Sequence, residues 1–420
     1  MKKKYLVFGL FALSSAYGFG QSVVNPFPRK KIPKSAIQVL YGQYMQDGEH
    51  SAITGGIGTE NLQVYSPEFI IGTEIDSLRS YSVDAGLDVI TSASMDNIDF
   101  VKSSASRVST RAYLSLSYDQ QFRKHPNNGI GGRGYFSIES AYLSFGGALS
   151  YTQNSPDLSR SFSAELETFF DDLRWGRLNG ERPLQLVYPS ELRYEQWFVA
   201  YLRQSFNLSM SFQQTINNRM VLAILPGISY QQGLLSTPYH RAYFLDGSER
   251  VENFPAKRWK FPLGLQLNSF IGDRYILRAY YRFYWDDFGI LANTVSADLG
   301  IRILPQLIIT PSARLYTQTA ATFFRPYQKL DTSMAYYSSD YDLSAFNAFE
   351  LALEGNLAFF GSRIHRIEMS NISIRYSFYK RTDGLYAHMI STIFNLNAFK
   401  KSKKKSNFPD LGFEDFRKQF

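Results

Sequence analysis

The chain has 420 residues and a mass of 48.1 kDa; it contains no cysteine and is 16 % aromatic, at a mean hydropathy of −0.24. This composition excludes a disordered chain, because so many aromatic side chains bury surface readily, and it excludes a disulfide scaffold, thiol catalysis and cysteine-based metal sites. Beyond the N-terminus no apolar run approaches the ~18 residues of a spanning helix, which excludes a polytopic helical membrane protein.

The formal net charge is +8, with a pI near 9.2. The excess of basic residues lies at the two ends of the chain, within 1–34 and 400–420. A nucleic-acid-binding protein needs a basic face on its folded part. We therefore expect no nucleic-acid partner.

The first twenty residues have the three parts of a secretory signal peptide. Lys2–Lys4 are positively charged, Tyr5–Ala16 are apolar, and Gly18-Phe19-Gly20 supplies small residues before a cleavage point. We expect 1–20 to be a cleaved signal peptide. Residues 21–61 are expected to form an N-terminal periplasmic or plug segment.

The mature chain alternates apolar and polar residues with period two, as β-strands do. Between Arg274 and Trp285, one face is Tyr-Leu-Ala-Tyr-Phe-Trp and begins and ends on aromatic residues. Its length matches the apolar band of an outer-membrane barrel, about 23 Å at a ~45° tilt. Similar alternation recurs near Ala112–Tyr118, Phe162–Phe170, Phe206–Phe212, Val295–Ile303 and Phe349–Leu357.

The links between these segments alternate in length, as short periplasmic turns and long extracellular loops do in outer-membrane barrels. Long links are predicted at Asp171–Glu195, Gln231–Trp259 and Gln318–Ser344, with a shorter outer link at Phe122–Gly134. Tight turns are predicted at Asn217-Asn218, Gly272-Asp273 and Leu304-Pro305. The sequence predicts an all-β transmembrane antiparallel barrel over 62–399 with fourteen strands. Sixteen is the alternative, because Ala36–Met45 is also strand-like.

Three stretches are more specific than ordinary barrel strands. The first two, Asp47–Glu60 and Asp88–Asp99, are polar and acidic, and the third, Tyr281–Ile290, is aromatic. The second stretch contains Thr91, Ser92, Ser94, Asp96, Asn97 and Asp99, and the third contains Trp285, Asp286 and Asp287. With Thr237–Tyr243 and Ser339–Ser344, they resemble an uncharacterised family of Gram-negative outer-membrane β-barrel proteins. The resemblance covers most of the mature chain and implies an outer-membrane barrel in contact with lipid. It implies no reaction.

The loop parity places the first two stretches, Asp47–Glu60 and Asp88–Asp99, at the periplasmic end. Asp47, Glu49, Glu60, Asp96 and Asp99 offer carboxylate oxygens for a hard cation, and His50 offers a nitrogen for a transition metal. A hydrogen-bonded plug, in which glycines permit tight turns, is favoured over a metal site. We expect no metal and no cofactor.

The alternation also assigns charged side chains to the barrel lumen. They are Arg274, Arg278, Arg282, Arg302 and Arg314, together with Asp84, Asp88, Glu165, Glu167, Glu350 and Glu354. Rings of such charges determine the ion selectivity of a pore. A network of ion pairs that neutralise one another is the alternative and is favoured slightly.

No enzyme is expected, and no catalytic residue is assigned. The five histidines are His50, His125, His240, His365 and His388, and none lies in a serine-elbow or His-Glu-x-x-His pattern. His125 and His240 are predicted to lie in outer loops. The favoured function is a channel or transport barrel for a small solute or an exported molecule. A structural or assembly subunit of an envelope complex and, less favoured, a barrel enzyme are the alternatives.

The tail 400–420 begins with a lysine-rich run after Phe399, which we expect to end the last strand. Lysines at the membrane midplane cost about 2–4 kcal/mol each, so the tail is expected to lie in the periplasm. It is a candidate contact for a periplasmic protein partner.

Overall fold

The computed structural model describes residues 35–92, 108–139, 142–173, 202–237, 240–359, 363–364 and 366–399. The expected signal peptide, the basic tail, and Ser94, Asp96, Asn97 and Asp99 lie outside these residues. Among the described residues, no helix has the length and apolarity needed to cross a membrane.

One continuous antiparallel sheet contains seventeen strands, of which one is the two-residue segment Arg363–Ile364 inside a hairpin link. The remaining sixteen close a barrel, and we number them in chain order. They are β1 (Ser35–Asp47), β2 (Leu62–Glu74), β3 (Arg79–Ser92), β4 (Val108–Gln121), β5 (Asn128–Glu139), β6 (Leu143–Asn154), β7 (Arg160–Asp172), β8 (Leu202–Asn217), β9 (Met220–Gly233), β10 (Lys257–Ile271), β11 (Tyr275–Asp286), β12 (Leu291–Leu304), β13 (Leu307–Gln318), β14 (Phe346–Ala358), β15 (Ile367–Arg381) and β16 (Tyr386–Ala398).

The first strand closes the ring. β1 pairs along its whole length with β16 on one side, from Ser35↔Ala398 to Asp47↔Tyr386. On its other side it pairs with β2. Closure leaves no sheet edge with unpaired backbone groups, as every full barrel requires. The barrel therefore begins before residue 62, and 35–47 is neither a plug nor a periplasmic segment.

The prediction of fourteen strands is wrong, and the alternative of sixteen is correct. One missing strand is β1, and the other lies between the predicted outer link 122–134 and Asn154, where the pattern predicts one strand only. There β5 and β6 pair antiparallel, and Glu139 and Tyr142 exchange backbone hydrogen bonds of 2.9 and 3.3 Å. The missed turn inverts the parity of every link that precedes it.

This inversion moves three predicted segments to the opposite end of the barrel. The link 48–61 and the end of β3 lie at the same end as the long links 234–256 and 319–345, not at the short-turn end. Conversely, the link 122–127 and His125 lie at the short-turn end, where the Gln121 amide donates to the Leu78 carbonyl at 2.8 Å. The short links 218–219, 272–274 and 305–306 are where the sequence predicts them.

The barrel wall has the opposite polarity of a soluble protein. Large apolar side chains on the outer face are exposed, with Leu149 at 70 % and Leu315 at 63 %. Buried strand residues include polar or charged ones that face inward, such as Glu68, Ser115 and Glu350. An exposed apolar surface this extensive is typical of a protein that meets lipid.

The buried apolar core of the described residues lies at the long-link end. We call the links 48–61, 234–256 and 319–345 the loop cap. Its main cluster joins cap residues to the adjoining barrel rim: Phe254, Phe288, Ile290, Ala292, Ala321, Phe323, Phe324 and Leu343. A second cluster contains Ala242, Phe244 and Leu330. The cap is therefore a packed structure with its own core.

Asp286 anchors the rim beneath this core. The residue is fully buried, and its Oδ1 accepts hydrogen bonds from the backbone amides of Phe288 at 3.1 Å and Ile290 at 3.0 Å. Its Oδ2 accepts from the Tyr284 hydroxyl at 2.7 Å and from Arg258 Nε at 3.0 Å. The Trp-Asp-Asp-Phe-Gly run therefore has a structural role, because its first aspartate accepts hydrogen bonds from backbone amides of the turn 287–290.

A disulfide introduced between β1 and β16 tests the closing pair. The chain has no cysteine, and Gly42 and Ser391 are direct register partners. Register partners in an antiparallel pair lie about 4.5–5.5 Å apart between Cα atoms, within reach of a disulfide. We expect Gly42→Cys with Ser391→Cys to form an internal cross-link, detected as a gel-mobility shift that reducing agent reverses. The control pair Gly42→Cys with Met389→Cys is displaced by two residues and should cross-link much less. Equal cross-linking of the two pairs would contradict this register.

Replacement of Asp286 by alanine should loosen the rim turn. The change removes the carboxylate that pairs with buried Arg258 and that accepts hydrogen bonds from the backbone amides of Phe288 and Ile290, at a cost of about 3–5 kcal/mol. We expect faster amide hydrogen exchange in 287–290 and around Phe254, with the strand amides of β2–β7 unchanged. Asp287→Ala is the matched control, because Asp287 is exposed. Equal effects of the two substitutions would show that Asp286 does not anchor the turn.

Candidate functional site

The strand register assigns the predicted lumen residues other than Arg274 to a face of the sheet. The inner face of β2–β7 carries Glu68, Asp84, Asp88, Asp119, Glu165 and Glu167, with Arg111 and Arg133 among them. We call it the acidic wall. The inner face of β11–β15 carries Arg278, Arg282, Arg302, Arg314 and Arg375, with Asp298, Glu350 and Glu354 among them. We call it the basic wall.

The two walls lie on opposite sides of the lumen, because β4 and β12 are eight positions apart in a ring of sixteen. Arg274 is the one predicted lumen arginine that is not on a strand. It lies in the tight link 272–274, where its carbonyl accepts from the Arg302 amide at 2.9 Å. The charge of Arg274 is therefore at the short-turn rim of the barrel.

Ion pairs within each wall join some of these charges. On the acidic wall, Arg111 lies 3.3 Å from Asp88, and Arg133 lies 3.7 Å from Glu165. The Glu167 carboxylate accepts a hydrogen bond from the Tyr135 hydroxyl at 3.0 Å.

On the basic wall, Glu350 lies 3.6 Å from both Arg314 and Arg375, and Glu354 lies 3.9 Å from Arg375. Each of these pairs joins residues of one wall. The pairing therefore reduces the charge of each wall but leaves the two walls opposite in sign.

The loop cap crosses the mouth of this lumen. The β1/β2 link and the β9/β10 link lie on opposite sides of the ring, yet they touch. A Cβ atom added to Gly55, whose φ is +78°, would lie 2.4 Å from Tyr243 Cδ2. Only glycine permits this backbone conformation and this close approach together. The link 48–61 therefore reaches across the opening.

The third cap link completes the bridge. The His50 ring stacks on Tyr341 at a centroid distance of 3.8 Å, and His50 Nδ1 lies 3.0 Å from the Gly56 carbonyl oxygen. The Asn253 and Tyr337 backbones exchange hydrogen bonds of 3.0 and 2.9 Å. These contacts join all three cap links into one body.

The electrostatics of the cap follow from burial. Burial, with Glu249 nearby, raises the pKa of the Tyr243 hydroxyl to about 12. Burial also raises the pKa of the Tyr341 hydroxyl. Both phenols are therefore neutral at physiological pH and pack as aromatic rings. At the opposite end, hydrogen bonds from Ser155 and Ser159 lower the pKa of exposed Asp157 to about 2, so that its turn keeps a charged acceptor.

Asp47, one of the residues weighed for a cation in the first acidic stretch, is a hydrogen-bond acceptor. Asp47 accepts hydrogen bonds from the Gly48 amide at 2.9 Å and the Tyr386 hydroxyl at 3.0 Å. Among the described residues, the group whose ligand atoms converge is instead His240, Glu252 and Asp340. Sequence reasoning singled out the stretches around His240 and Asp340 but had no means to place Glu252 beside them.

The other predicted site residues have structural positions. Thr91 is the second-last residue of β3, and its hydroxyl lies 3.5 Å from the Gln63 carbonyl oxygen. Ser92 ends that strand. Trp285 lies on the outer face, 42 % exposed, with its ring 5.4 Å from that of Phe261. The exposed Asp287 donates its amide to the Trp259 carbonyl at 3.2 Å.

Solved structures with some similarity are bacterial outer-membrane proteins. A bacterial polysaccharide outer membrane secretin is 8 % identical with a TM-score of 0.48, over 88 % of this chain and 100 % of that one. OpdK from Pseudomonas aeruginosa is 8 % identical with a TM-score of 0.39, over 86 % and 98 %. A BenF-like porin from Pseudomonas fluorescens Pf-5 is 6 % identical with a TM-score of 0.41, over 86 % and 98 %. At such scores these are remote similarities of shape, and the fold described above rests on this chain's own strand pairing.

Comparison with curated proteins found no match. One family model matches residues 101–390, more than half of the chain, and covers β4 to the beginning of β16 with the second and third cap links. Its description is "Protein of unknown function (DUF3570)". The chain belongs to this family, in agreement with the resemblance to an uncharacterised barrel family that its motifs carry.

Proposed function

We propose that this protein is an outer-membrane channel for small polar solutes, with a lumen of two oppositely charged walls and a mouth narrowed by the loop cap. Three features support the proposal: the exposed apolar outer face, the charged inner face and the cap across the opening. The observation that carries it is the separation of acidic and basic residues onto opposite walls.

The outer face supports a membrane location. Strands of twelve to sixteen residues are long enough to cross an apolar band ~25 Å tall when tilted by about 45°. Outward residues such as Leu116, Leu149, Leu315 and Leu351 are more than half exposed. In water these side chains would be an aggregation hazard. In a bilayer they are the lipid contact.

The inner face supports passage of a polar solute. A solute between the walls meets carboxylates on one side and guanidinium groups on the other. Such an arrangement orients a molecule that carries both a positive and a negative group, and it disfavours apolar molecules, which gain nothing from the charges. The loop cap lowers the maximum size of a solute that can pass, because the links 48–61 and 234–256 meet over the opening.

Orientation follows from loop length. Long loops face the exterior and short turns face the periplasm in barrels of this kind. In this orientation Phe399, which follows β16 at the short-turn end and precedes the tail 400–420, lies on the periplasmic side. Binding of a periplasmic partner by this basic tail stays a prediction.

Single-cysteine labelling tests the orientation. Ser333 is exposed in the link 319–345, whereas Ser338 in the same link is fully buried. We expect Ser333→Cys to react with a membrane-impermeant maleimide on intact cells. Pro156→Cys, exposed in the short link 155–159, should react only after the outer membrane is permeabilised. The reverse pattern would overturn the orientation.

Planar-bilayer conductance tests the charged walls. Arg282→Gln removes a positive charge whose register partners are Gly264 and Thr294. We expect the anion-to-cation permeability ratio to fall by up to about fivefold, since one charge near a permeating ion in water contributes ~1 kcal/mol. Glu167→Gln should raise the ratio, and Asp157→Asn, in a turn at the barrel rim, should leave it nearly unchanged.

The same measurement rejects the proposal in two ways. If the purified wild-type protein inserts but never conducts, the barrel is closed and is not a channel. If Arg282→Gln and Glu167→Gln shift the ratio in the same direction, the walls do not act as opposite charges on the permeating ion.

A further inference from the structure

We propose that His240, Glu252 and Asp340 form a binding site for a divalent first-row transition metal ion, with zinc as the best fit, inside the loop cap. These residues come from two different cap links: His240 and Glu252 from 234–256, and Asp340 from 319–345. An ion bound there would join the two links.

The distances around His240 are those of metal ligands, not of hydrogen-bond partners. His240 Nδ1 lies 3.4 Å from Glu252 Oε1 and 3.5 Å from Asp340 Oδ2. A charge-assisted hydrogen bond is shorter, about 2.7–2.9 Å. Nitrogen and oxygen ligands about 2.0–2.1 Å from a tetrahedral zinc ion are separated from each other by roughly 3.3–3.4 Å.

Burial gives a second, independent observation. His240 Nδ1 is buried from solvent and has no hydrogen-bond partner, although two carboxylates face it. The Glu252 side chain is fully buried, and the Asp340 side chain is 6 % exposed. A buried polar atom without a partner costs free energy, so a native structure rarely keeps one without a reason. A bound ion between these three atoms supplies that reason.

The carboxylates are held in place as ligands usually are. Glu252 Oε1 accepts from the Thr237 amide at 2.7 Å, and Oε2 accepts from the Ser338 hydroxyl at 2.8 Å. Asp340 Oδ1 accepts from the Asp342 amide at 2.8 Å, while Oδ2 is the oxygen that faces His240. Hydrogen bonds of this kind orient metal ligands and adjust their affinity.

The donor set determines the class of ion. One imidazole nitrogen with two carboxylate oxygens suits zinc and its first-row neighbours, whereas calcium and magnesium prefer six or more oxygen ligands. Three protein ligands leave a fourth tetrahedral position for water or another ligand. The pairing of His240 with the two acids as a plain ion pair is the competing interpretation.

Metal binding to the full-length protein in detergent micelles tests the site. We expect one Zn²⁺ per chain by isothermal titration, and a tetrahedral Co²⁺ absorption spectrum when Co²⁺ is the probe. His240→Ala and Glu252→Gln should abolish both signals. Ser338→Ala removes the hydroxyl that donates to Glu252 and accepts from the Asp340 amide but leaves all three ligands in place, and should weaken binding by about 10- to 100-fold.

Controls distinguish loss of ligand from loss of structure. His125→Ala, at the opposite end of the barrel, and Asp246→Asn, an exposed acid in the same link, should bind Zn²⁺ as the wild type does. His240→Cys replaces one zinc ligand by another and should restore Co²⁺ binding, now with a sulfur-to-cobalt charge-transfer band. Circular dichroism checks that each variant keeps its barrel.

The outcomes are decisive and independent of conduction. Stoichiometric binding in the wild type that His240→Ala abolishes and His240→Cys restores supports the site. No saturable Zn²⁺ or Co²⁺ binding, or binding that His240→Ala leaves unchanged, overturns it and favours the plain ion pair. A barrel that does not conduct would reject the channel and leave the metal site standing.

Discussion

Closure of the sheet by β1 is the interaction on which the rest of the structure depends. A strand at the edge of an open sheet leaves a row of backbone donors and acceptors unpaired. In lipid each such group costs several kcal/mol. Pairing of Ser35–Asp47 with both β2 and β16 removes both edges at once. Closure also makes inside and outside distinct. Only then does the two-residue alternation produce an apolar outer face and a charged lumen, and only then do β4 and β12 stand opposite one another.

The loop cap and the barrel wall are stabilised by different interactions. The barrel wall is ordered by its backbone ladder, and its outer apolar side chains need no partner within the chain. The cap links have few ladder bonds, so apolar clusters and buried polar residues hold them. Asp286 satisfies the turn at the rim, and Glu252 satisfies the Thr237 amide and the Ser338 hydroxyl. Glycines at 55 and 56, both with positive φ, allow the link 48–61 to pass close to the other two.

The charged lumen and the loop cap across one end of it are the two features on which the proposed channel rests. Ion pairs such as Arg375–Glu350 stay within one wall, because register brings neighbouring strands, and not opposite ones, into contact. The two walls therefore keep opposite net charges despite the ion pairs within each of them. The loop cap spans the opening at one end of the lumen. Within the described residues, the motifs that carry the family resemblance lie mostly in or beside the cap.

The sequence by itself determined the all-β barrel and most of the short links, because alternation and turn residues are local signals. It did not determine the strand count. The stretch 128–154 is rich in glycine, which weakens alternation, and Ser140-Ala141-Tyr142 carries no glycine, proline or asparagine to mark a turn. One missed turn then inverted the placement of 48–61. The cap site was decided by tertiary structure alone: Glu252 and Ser338 are 86 residues apart, and no local pattern records a contact between two loops that only the closed ring brings together.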